Sequence, residues 1–396
     1  MLRATNSSIR RVWQLLFNFK KNDGLPLLFL LLIFLPLANQ VFQFVQPYPL
    51  DEKRRLAEKP VFDSRHPFAY AQSYEDYYND HFTFRTRLVY WNSLLTYKVF
   101  RASARDNVVI GKKDWLFLGN VNPYTDEIDY YRNLRPFTMD ELQYWRVLLE
   151  QRRNWLKRRG IHYIFTIAPN KSTIYPEFMP KAVVKIASRS RQDQLIDYLK
   201  KNSTLTVLDL RPALLAAKKD KLVYHKTDSH WNDLGGYVAY SEIIKNLGRY
   251  YGVVQPRPFD RYQITKTGPV SGDLSSLLSL PDIFWENQWQ LESKTPLQAR
   301  VLPADYPEQR NRFVTISVHT CASGALPAAL MVHDSFAHQM KQFLSEDFSK
   351  IVYVWDWSLG FYEKIIKKEN IKIVIDEMVE YSLLARFPSN PRKLRR

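Results

Sequence analysis

Between Asp140 and Met378, apolar runs that stop abruptly alternate with stretches of helical periodicity. This alternation limits the fold more than any other feature of the chain. "DELQYWRVLLEQRRNWLKRRG" (Asp140 to Gly160) reads as a helix with glycine as its stop, and "IHYIFTIAP" follows as a buried strand. Asp193 to Lys201 reads as a helix and "LTVLDL" (Leu205 to Leu210) as a strand. Asn232 or Asp233 is placed to cap a helix that runs to about Tyr250. After a long interval come "ALMVHDSF" (strand into turn), "AHQMKQFLSEDF" (helix), "KIVYVWDW" (strand), "FYEKIIKKEN" (helix) and "IKIVIDEM" (strand). The expected fold class is α/β, a mostly parallel sheet flanked by helices. Ligands of such sheets bind beyond the carboxyl ends of the strands.

Other segments fit around this frame. "NVVIGKKDWLFLGN" (Asn107 to Asn120) reads as a hairpin, and Ser73 to Phe100 as mixed helix rich in aromatics. Gln255 to Asn311 is punctuated by proline and is expected to be irregular, an excursion near the site or a cover on it. Pro47 to Pro67 is Pro-rich and charged and reads as part of a stalk over 46–72, ahead of one domain over 73–390. There is no internal repeat.

The start of the chain narrows the compartment. Leu25 to Val45 is close to the ~20 apolar residues that cross a bilayer. Arg3, Arg10, Arg11, Lys20 and Lys21 precede it, opposed only by Asp23. The positive-inside rule puts residues 1–24 in the cytoplasm, 25–45 across the membrane as a single-pass transmembrane helix, and the rest outside. A cleaved signal peptide is the rival reading; no small-x-small site follows the apolar run.

Lys and Arg number 57 against 40 Asp and Glu, a formal net charge of +17. Such a balance suits an anionic partner: nucleic acid, a membrane surface or an acidic polymer. No RNA-binding aromatic signature, helix-turn-helix or zinc-finger pattern supports nucleic acid. The single cysteine, Cys321, excludes an internal disulfide framework and a Cys-based zinc site.

Two short stretches carry chemistry. In "MVHDSFAHQM", Ser335 sits where an apolar strand stops and a helical pattern begins. A serine there is exposed at the top of the sheet, beside the free N–H groups of a helix start, and suits a nucleophile whose reaction develops an oxyanion. It suits a helix cap equally, as does Asp334. In "KTDSHWNDLGGYVAY" (Lys226 to Tyr240), Asp228 and His230 stand two residues apart in an extended segment and can share a face. Ser335, His230 and Asp228 are then the three parts of a nucleophilic triad, each at the end of an expected strand. His225, Asp228 and His230 are also metal-ligand types, but no further acidic or histidine cluster supports a metal, and none is expected. Trp231 either stacks on a sugar ring or packs in the core. Lys171 either contacts substrate or is a solvated turn lysine.

At these residues the chain resembles the alginate O-acetyltransferase family, the SGNH-hydrolase-like proteins also called the DHHW group. "TDSHW" is similar to that family's Asp-x-His-Trp motif, and "HDSF" to its Gly-Asp-Ser-Phe nucleophile turn. "YYNDHFTFR", "VVIGKKDWLFLGN", "APNKSTIYPEFMP" and "SGDLSSLL" resemble further landmarks in the family's order, over Phe62 to Ala385. The resemblance implies an SGNH-hydrolase-like fold and acetyl transfer onto an exported polysaccharide. Ser335 would be the nucleophile, His230 the general base and Asp228 its orienting group. It implies no cofactor. The layout resembles membrane-anchored single-domain members that work beside a multi-spanning membrane O-acyltransferase as acetyl supplier. His333 departs from the family's glycine, which puts the backbone before Ser335 in question. Asn170 in "APNKS" is either an oxyanion donor or an ordinary turn cap. Two other functions fit the same residues: a polysaccharide acetyl esterase, and a polysaccharide-binding scaffold with a degenerate site.

Overall fold

A computed structural model describes residues 24–50, 55–120, 126–252, 254–310, 313–385 and 387. The basic leader lies outside these residues. The chain divides into two compact units, residues 1–95 and 96–396.

In the first unit, Gly24–Phe42 forms a helix of 19 residues with mean hydropathy 2.2. Among the described residues it is one helix long and apolar enough to cross a membrane. Its leucines and phenylalanines face outward, as lipid-facing side chains do. The span ends earlier than Val45 because the Asn39 carboxamide folds the chain back. Asn39 Oδ1 accepts the Val45 N–H at 2.7 Å, and Nδ2 donates to the Val45 carbonyl at 3.1 Å. Two more helices follow, Pro67–His81 and Arg85–Phe100.

The second unit is built on a sheet of seven strands. In chain order the strands of this unit are β1 (Val108–Ile110), β2 (Leu116–Leu118), β3 (His162–Ala168), β4 (Val207–Asp209), β5 (Tyr262–Val270), β6 (Glu286–Ser293), β7 (Arg300–Leu302), β8 (Thr315–Thr320), β9 (Ala329–His333), β10 (Lys350–Trp355) and β11 (Ile373–Val379). The main sheet runs β4-β3-β11-β9-β10-β8-β7. The first five of these are mutually parallel; at one edge β8 pairs antiparallel to β10, and β7 pairs antiparallel to β8. Every residue of β9 and of β11 is buried, so these strands read as continuous apolar runs rather than as alternating ones. Each fully buried valine or isoleucine there contributes about 1.5–3 kcal/mol.

The helix expected from Asp140 runs Met139–Lys157. Thr138 and Glu141 close a capping box at its start, and Gly160, at φ 66°, lets the chain turn left-handed into β3. Its inner face carries Leu142, Trp145, Leu149 and Leu156 onto the sheet. It also carries Arg152, which is fully buried and paired with Asp376. That arginine, one of the 57 basic residues behind the net charge, is unavailable to an anionic partner.

The structure corrects the reading of 255–311. Over 255–310 the stretch carries regular structure: β5 and β6 form a long antiparallel hairpin around the short helix Asp273–Leu277, and β7 returns to the main sheet. The hairpin is exposed on much of both faces, so no alternation of apolar and polar residues marked it. Its prolines do not break it. Pro269 lies at a register shift after Lys266, where the ladder is already interrupted. β8, which carries buried Ile316 and Val318, was not anticipated either. The helix expected from Ala337 begins instead as a 3₁₀ turn, Ser335–Met340, followed by one α-helical turn, Lys341–Leu344.

Candidate active site

The carboxyl end of β9 delivers Ser335. The strand stops at His333, Asp334 turns the chain, and Ser335 opens the 3₁₀ turn. Asp334 is the cap: its Oδ1 accepts the Phe336 N–H at 3.0 Å. Its Oδ2 accepts the Val379 N–H at 2.7 Å, fastening the turn to the end of β11. His333 fits where the family has glycine because the backbone there needs no positive φ. The ring is buried, and burial together with the Lys341 charge pushes its pKa down to about 3, so it is neutral. Nδ1–H donates to the Asp334 carbonyl at 2.6 Å and stiffens the same turn.

His230 and Asp228 come from the loop before the helix Asp233–Tyr251. Asn232 caps that helix by accepting the Gly235 N–H at 3.0 Å. Gly236 lets the helix lie directly on the serine turn: a Cβ there would sit 2.7 Å from Gln339 Cβ. Trp231 completes the seam, donating its indole N–H to the Phe336 carbonyl at 2.8 Å and meeting the Phe336 ring edge to face.

These contacts bring the three side chains into line. His230 Nε2 lies 2.8 Å from Ser335 Oγ, and Nδ1 lies 2.7 Å from Asp228 Oδ1. Nδ1 is therefore the protonated nitrogen and Nε2 the acceptor. Burial pulls the His230 pKa down, but the hydrogen bond and charge of Asp228, with Asp273 and Asp334 beyond, outweigh it and leave it raised. Burial also opposes ionisation of Asp228, yet its bonds from His230 hold it below the usual carboxylate range. The pair is a carboxylate orienting an imidazole whose free nitrogen faces a hydroxyl, an arrangement that deprotonates a serine as it attacks.

The loop itself is held by groups from far along the chain. Lys171 Nζ donates to the carbonyls of His225 (3.1 Å), Lys226 (3.2 Å) and Asp228 (2.6 Å). Glu286, at the start of β6, accepts the N–H groups of Lys226 (2.9 Å) and Thr227 (2.7 Å). Asp273 N–H donates to Asp228 Oδ2 at 3.0 Å, and the Asp273 carboxylate takes both polar hydrogens of Ser229. Gly272 makes that approach possible, since a Cβ there would lie 2.4 Å from the Thr227 carbonyl.

Several expectations from sequence are corrected. Lys171 is no solvated turn lysine: it is 1% exposed, lies over the Trp115 and Phe117 rings, and is spent on loop carbonyls rather than open to substrate. Burial, partly offset by Asp228 and Asp273, pulls its pKa down to about 8. Replacing it with methionine orphans the His225 and Asp228 carbonyls, while that of Lys226 keeps the Leu116 N–H at 3.0 Å, and we expect a loss of about 2 kcal/mol in chemical denaturation. Trp231 is fully buried and offers no face to a sugar. Asn170 is buried and does not cap the turn it begins; its Oδ1 accepts the Tyr381 N–H at 3.2 Å and ties β3 to β11. Asp228, His230 and Asp273 have atoms close enough to share an ion, while His225 does not join them. Each of the three is already engaged: Nδ1 with Asp228, and Asp273 with Ser229.

Asp273 and Glu286 were not singled out as site residues from sequence. Asp273 lies in "SGDLSSLL", noted only as a landmark, and nothing near Glu286 marks it.

The comparisons with known proteins follow this geometry. Residues 108–372, more than half of the chain, match the model of the SGNH hydrolase-like domain of acetyltransferase AlgX. The chain is 28% identical over 212 residues to the probable alginate O-acetylase AlgJ of Pseudomonas syringae pv. tomato, covering 53% of this chain and 51% of the relative. It is 27% identical over 234 residues to the protein of the same name from Pseudomonas fluorescens, covering 59% and 55%. The chain thus spans about half the length of the curated relatives it matches. PatB1 of Bacillus cereus, solved with a sulfonyl adduct, superposes with TM-score 0.51 at 16% identity, over 70% of this chain and 95% of that one. That likeness shows the fold.

Proposed function

We propose that this chain, which belongs to the acetyltransferase AlgX family of SGNH hydrolase-like domains, transfers acetyl groups through a serine acyl-enzyme onto hydroxyls of an exported polysaccharide. The observation that carries the reading is His230 bridging Asp228 and Ser335 at 2.7 and 2.8 Å. Ser335 Oγ attacks the carbonyl of an acetyl donor while its proton passes to His230 Nε2. The tetrahedral intermediate collapses, His230 returns the proton to the departing group, and acetyl-Ser335 remains. A sugar hydroxyl then gives its proton to His230 and attacks the ester, and Ser335 is restored with that proton. Asp228 holds the tautomer and the positive charge of the imidazolium through both halves. The Ser335 N–H, first in the turn capped by Asp334, is the donor we assign to the developing oxyanion.

The relatives named alginate O-acetylase support a polysaccharide acceptor. The apolar helix Gly24–Phe42 supports a domain held at the inner membrane and working in the periplasm. A multi-spanning membrane O-acyltransferase is the acetyl supplier we place beside it, because an acetyl donor made in the cytoplasm needs a carrier across the bilayer.

The general base must be neutral to act, and its pKa is raised above the ordinary 6.5. Acylation is therefore lost as pH falls through that raised value. We expect kcat/KM for a small acetyl ester to climb with pH along a limb centred above 6.5. The test of the function is intact-mass spectrometry of the full chain in detergent with 4-nitrophenyl acetate. One acetyl group mapped to Ser335, then passed to an added oligosaccharide, is the expected result. Steady ester consumption that ignores the sugar would instead make the protein an esterase, and no adduct at all would favour the scaffold reading.

A further inference from the structure

We propose that Asp273 is a positioning residue for His230, a second carboxylate that acts on the imidazole through the Ser229 hydroxyl. The inference rests on the acyl-transfer reading above. Asp228 is the carboxylate in direct contact with His230, and sequence spacing pointed to it alone. The structure adds another route. Ser229 Oγ lies 3.2 Å from His230 Nδ1 and donates to Asp273 Oδ2 at 2.6 Å. Asp273 Oδ1 accepts the Ser229 N–H at 2.7 Å, and the carboxylate reaches within 3.8 Å of Nδ1 itself.

The direction of each bond fixes the chemistry. Both Asp273 oxygens accept, the pattern of an ionised carboxylate; burial and the Asp228 charge push its pKa up, and His230 and the two Ser229 bonds oppose that rise. The Ser229 hydroxyl gives its hydrogen to Asp273, so its lone pairs face Nδ1–H. When His230 takes the serine proton, the new positive charge meets Asp228 directly and Asp273 through one hydroxyl. The Asp273 N–H meanwhile neutralises part of the negative charge on Asp228, donating to its Oδ2 at 3.0 Å. A single residue thus keeps two like charges apart while both face one imidazole.

The groups facing His230 are few. Its own loop supplies Asp228 and Ser229, and the helix after Gly272 supplies Asp273. The serine turn supplies Asp334 and His338, of which Asp334 adds to the raised basicity, and Phe336 packs on the ring without charge. Lys171 binds the loop from beneath, on its carbonyls. Removing the Asp273 charge therefore shifts the balance at His230.

The test is the pH profile of acetyl-Ser335 formation by the full chain in detergent, for wild type, Asp273→Asn and Ser229→Ala. The amide keeps an oxygen for the Ser229 N–H but drops the charge. Because an anion close to an imidazole raises its pKa, the acid limb should move to lower pH by about one unit in Asp273→Asn. It should move the same way, by less, in Ser229→Ala, which leaves both carboxylates in place. Rates above the limb should fall as well, since the imidazolium loses a partner. A uniform loss with an unmoved limb would reduce Asp273 to a loop tether and overturn the inference. Ser229→Ala decides alone should Asp273→Asn not fold. If the wild-type chain loads no acetyl group, the transferase reading falls and the inference with it. If it loads normally and neither variant moves the limb, only the part given to Asp273 falls.

Discussion

Replacing Ser335 with alanine will reduce acetyl transfer at least about a thousandfold and abolish the acetyl adduct, while the thermal midpoint stays put. The two halves of that expectation come from different features of the residue. Its hydroxyl makes the bond to His230 Nε2, so its loss removes the attacking atom and leaves the imidazole nothing to deprotonate. The turn that presents it does not depend on that hydroxyl. Asp334 caps the turn, the Val379 N–H anchors Asp334, and the Phe336 carbonyl is held by Trp231. Kinetics on the full chain with 4-nitrophenyl acetate, beside a thermal melt, check both halves. A variant that transfers acetyl normally would sink the acyl-enzyme reading; one that melts early would mean the hydroxyl is part of the scaffold.

The sheet was largely legible because its inner strands are buried on both faces. Runs such as "ALMVH" and "IVIDEMV" leave a sequence few other options, and helices with caps such as Thr138 and Asn232 announce themselves between them. The triad was legible for a related reason. Asp228 and His230 are neighbours in the chain, and Ser335 stands where a buried strand stops. The supports were not. Lys171, Asp273 and Glu286 reach the Asp228 loop from 57, 45 and 60 or 59 residues away, and no local pattern encodes such distances. The β5–β6 hairpin, which brings Asp273 and Glu286 to the loop, is solvated on much of both faces and so carries no period-2 signal. Lys171 was misread because a lysine following Pro-Asn suggests an open turn, and only the packed structure reveals the three carbonyls that its ammonium binds. Trp231 was left open between substrate and core for a similar reason, since its burial depends on Phe336 from the opposite side of the site.

Asp228→Asn will cost about 10⁴-fold in acyl transfer, the largest loss expected from any isosteric change in the site. The carboxylate has no spare oxygen. Oδ1 accepts both Nδ1–H and the backbone N–H of His230, at 2.7 and 2.9 Å, and Oδ2 accepts the Asp273 N–H at 3.0 Å. An amide has one acceptor to offer. If its oxygen stays toward His230, its NH₂ meets the Asp273 N–H and the seam to "SGD" opens. If it turns toward Asp273, the NH₂ faces His230; Nδ1 must then become the acceptor, Nε2 carries the hydrogen, and the Ser335 proton has nowhere to go. Either placement leaves a buried N–H unpaired, so a stability loss of about 1–3 kcal/mol should accompany the kinetic one. Denaturation and pre-steady-state acylation on the same preparation separate the two. A large kinetic loss with intact stability would show the loop re-pairing around the amide with the wrong tautomer trapped. A stability loss without a kinetic one would mean that Asp228 holds the loop and another group orients His230. Asp273, already joined to Nδ1 through Ser229, is the carboxylate in position for that, and the double variant Asp228→Asn, Asp273→Asn would then lose what each single variant kept.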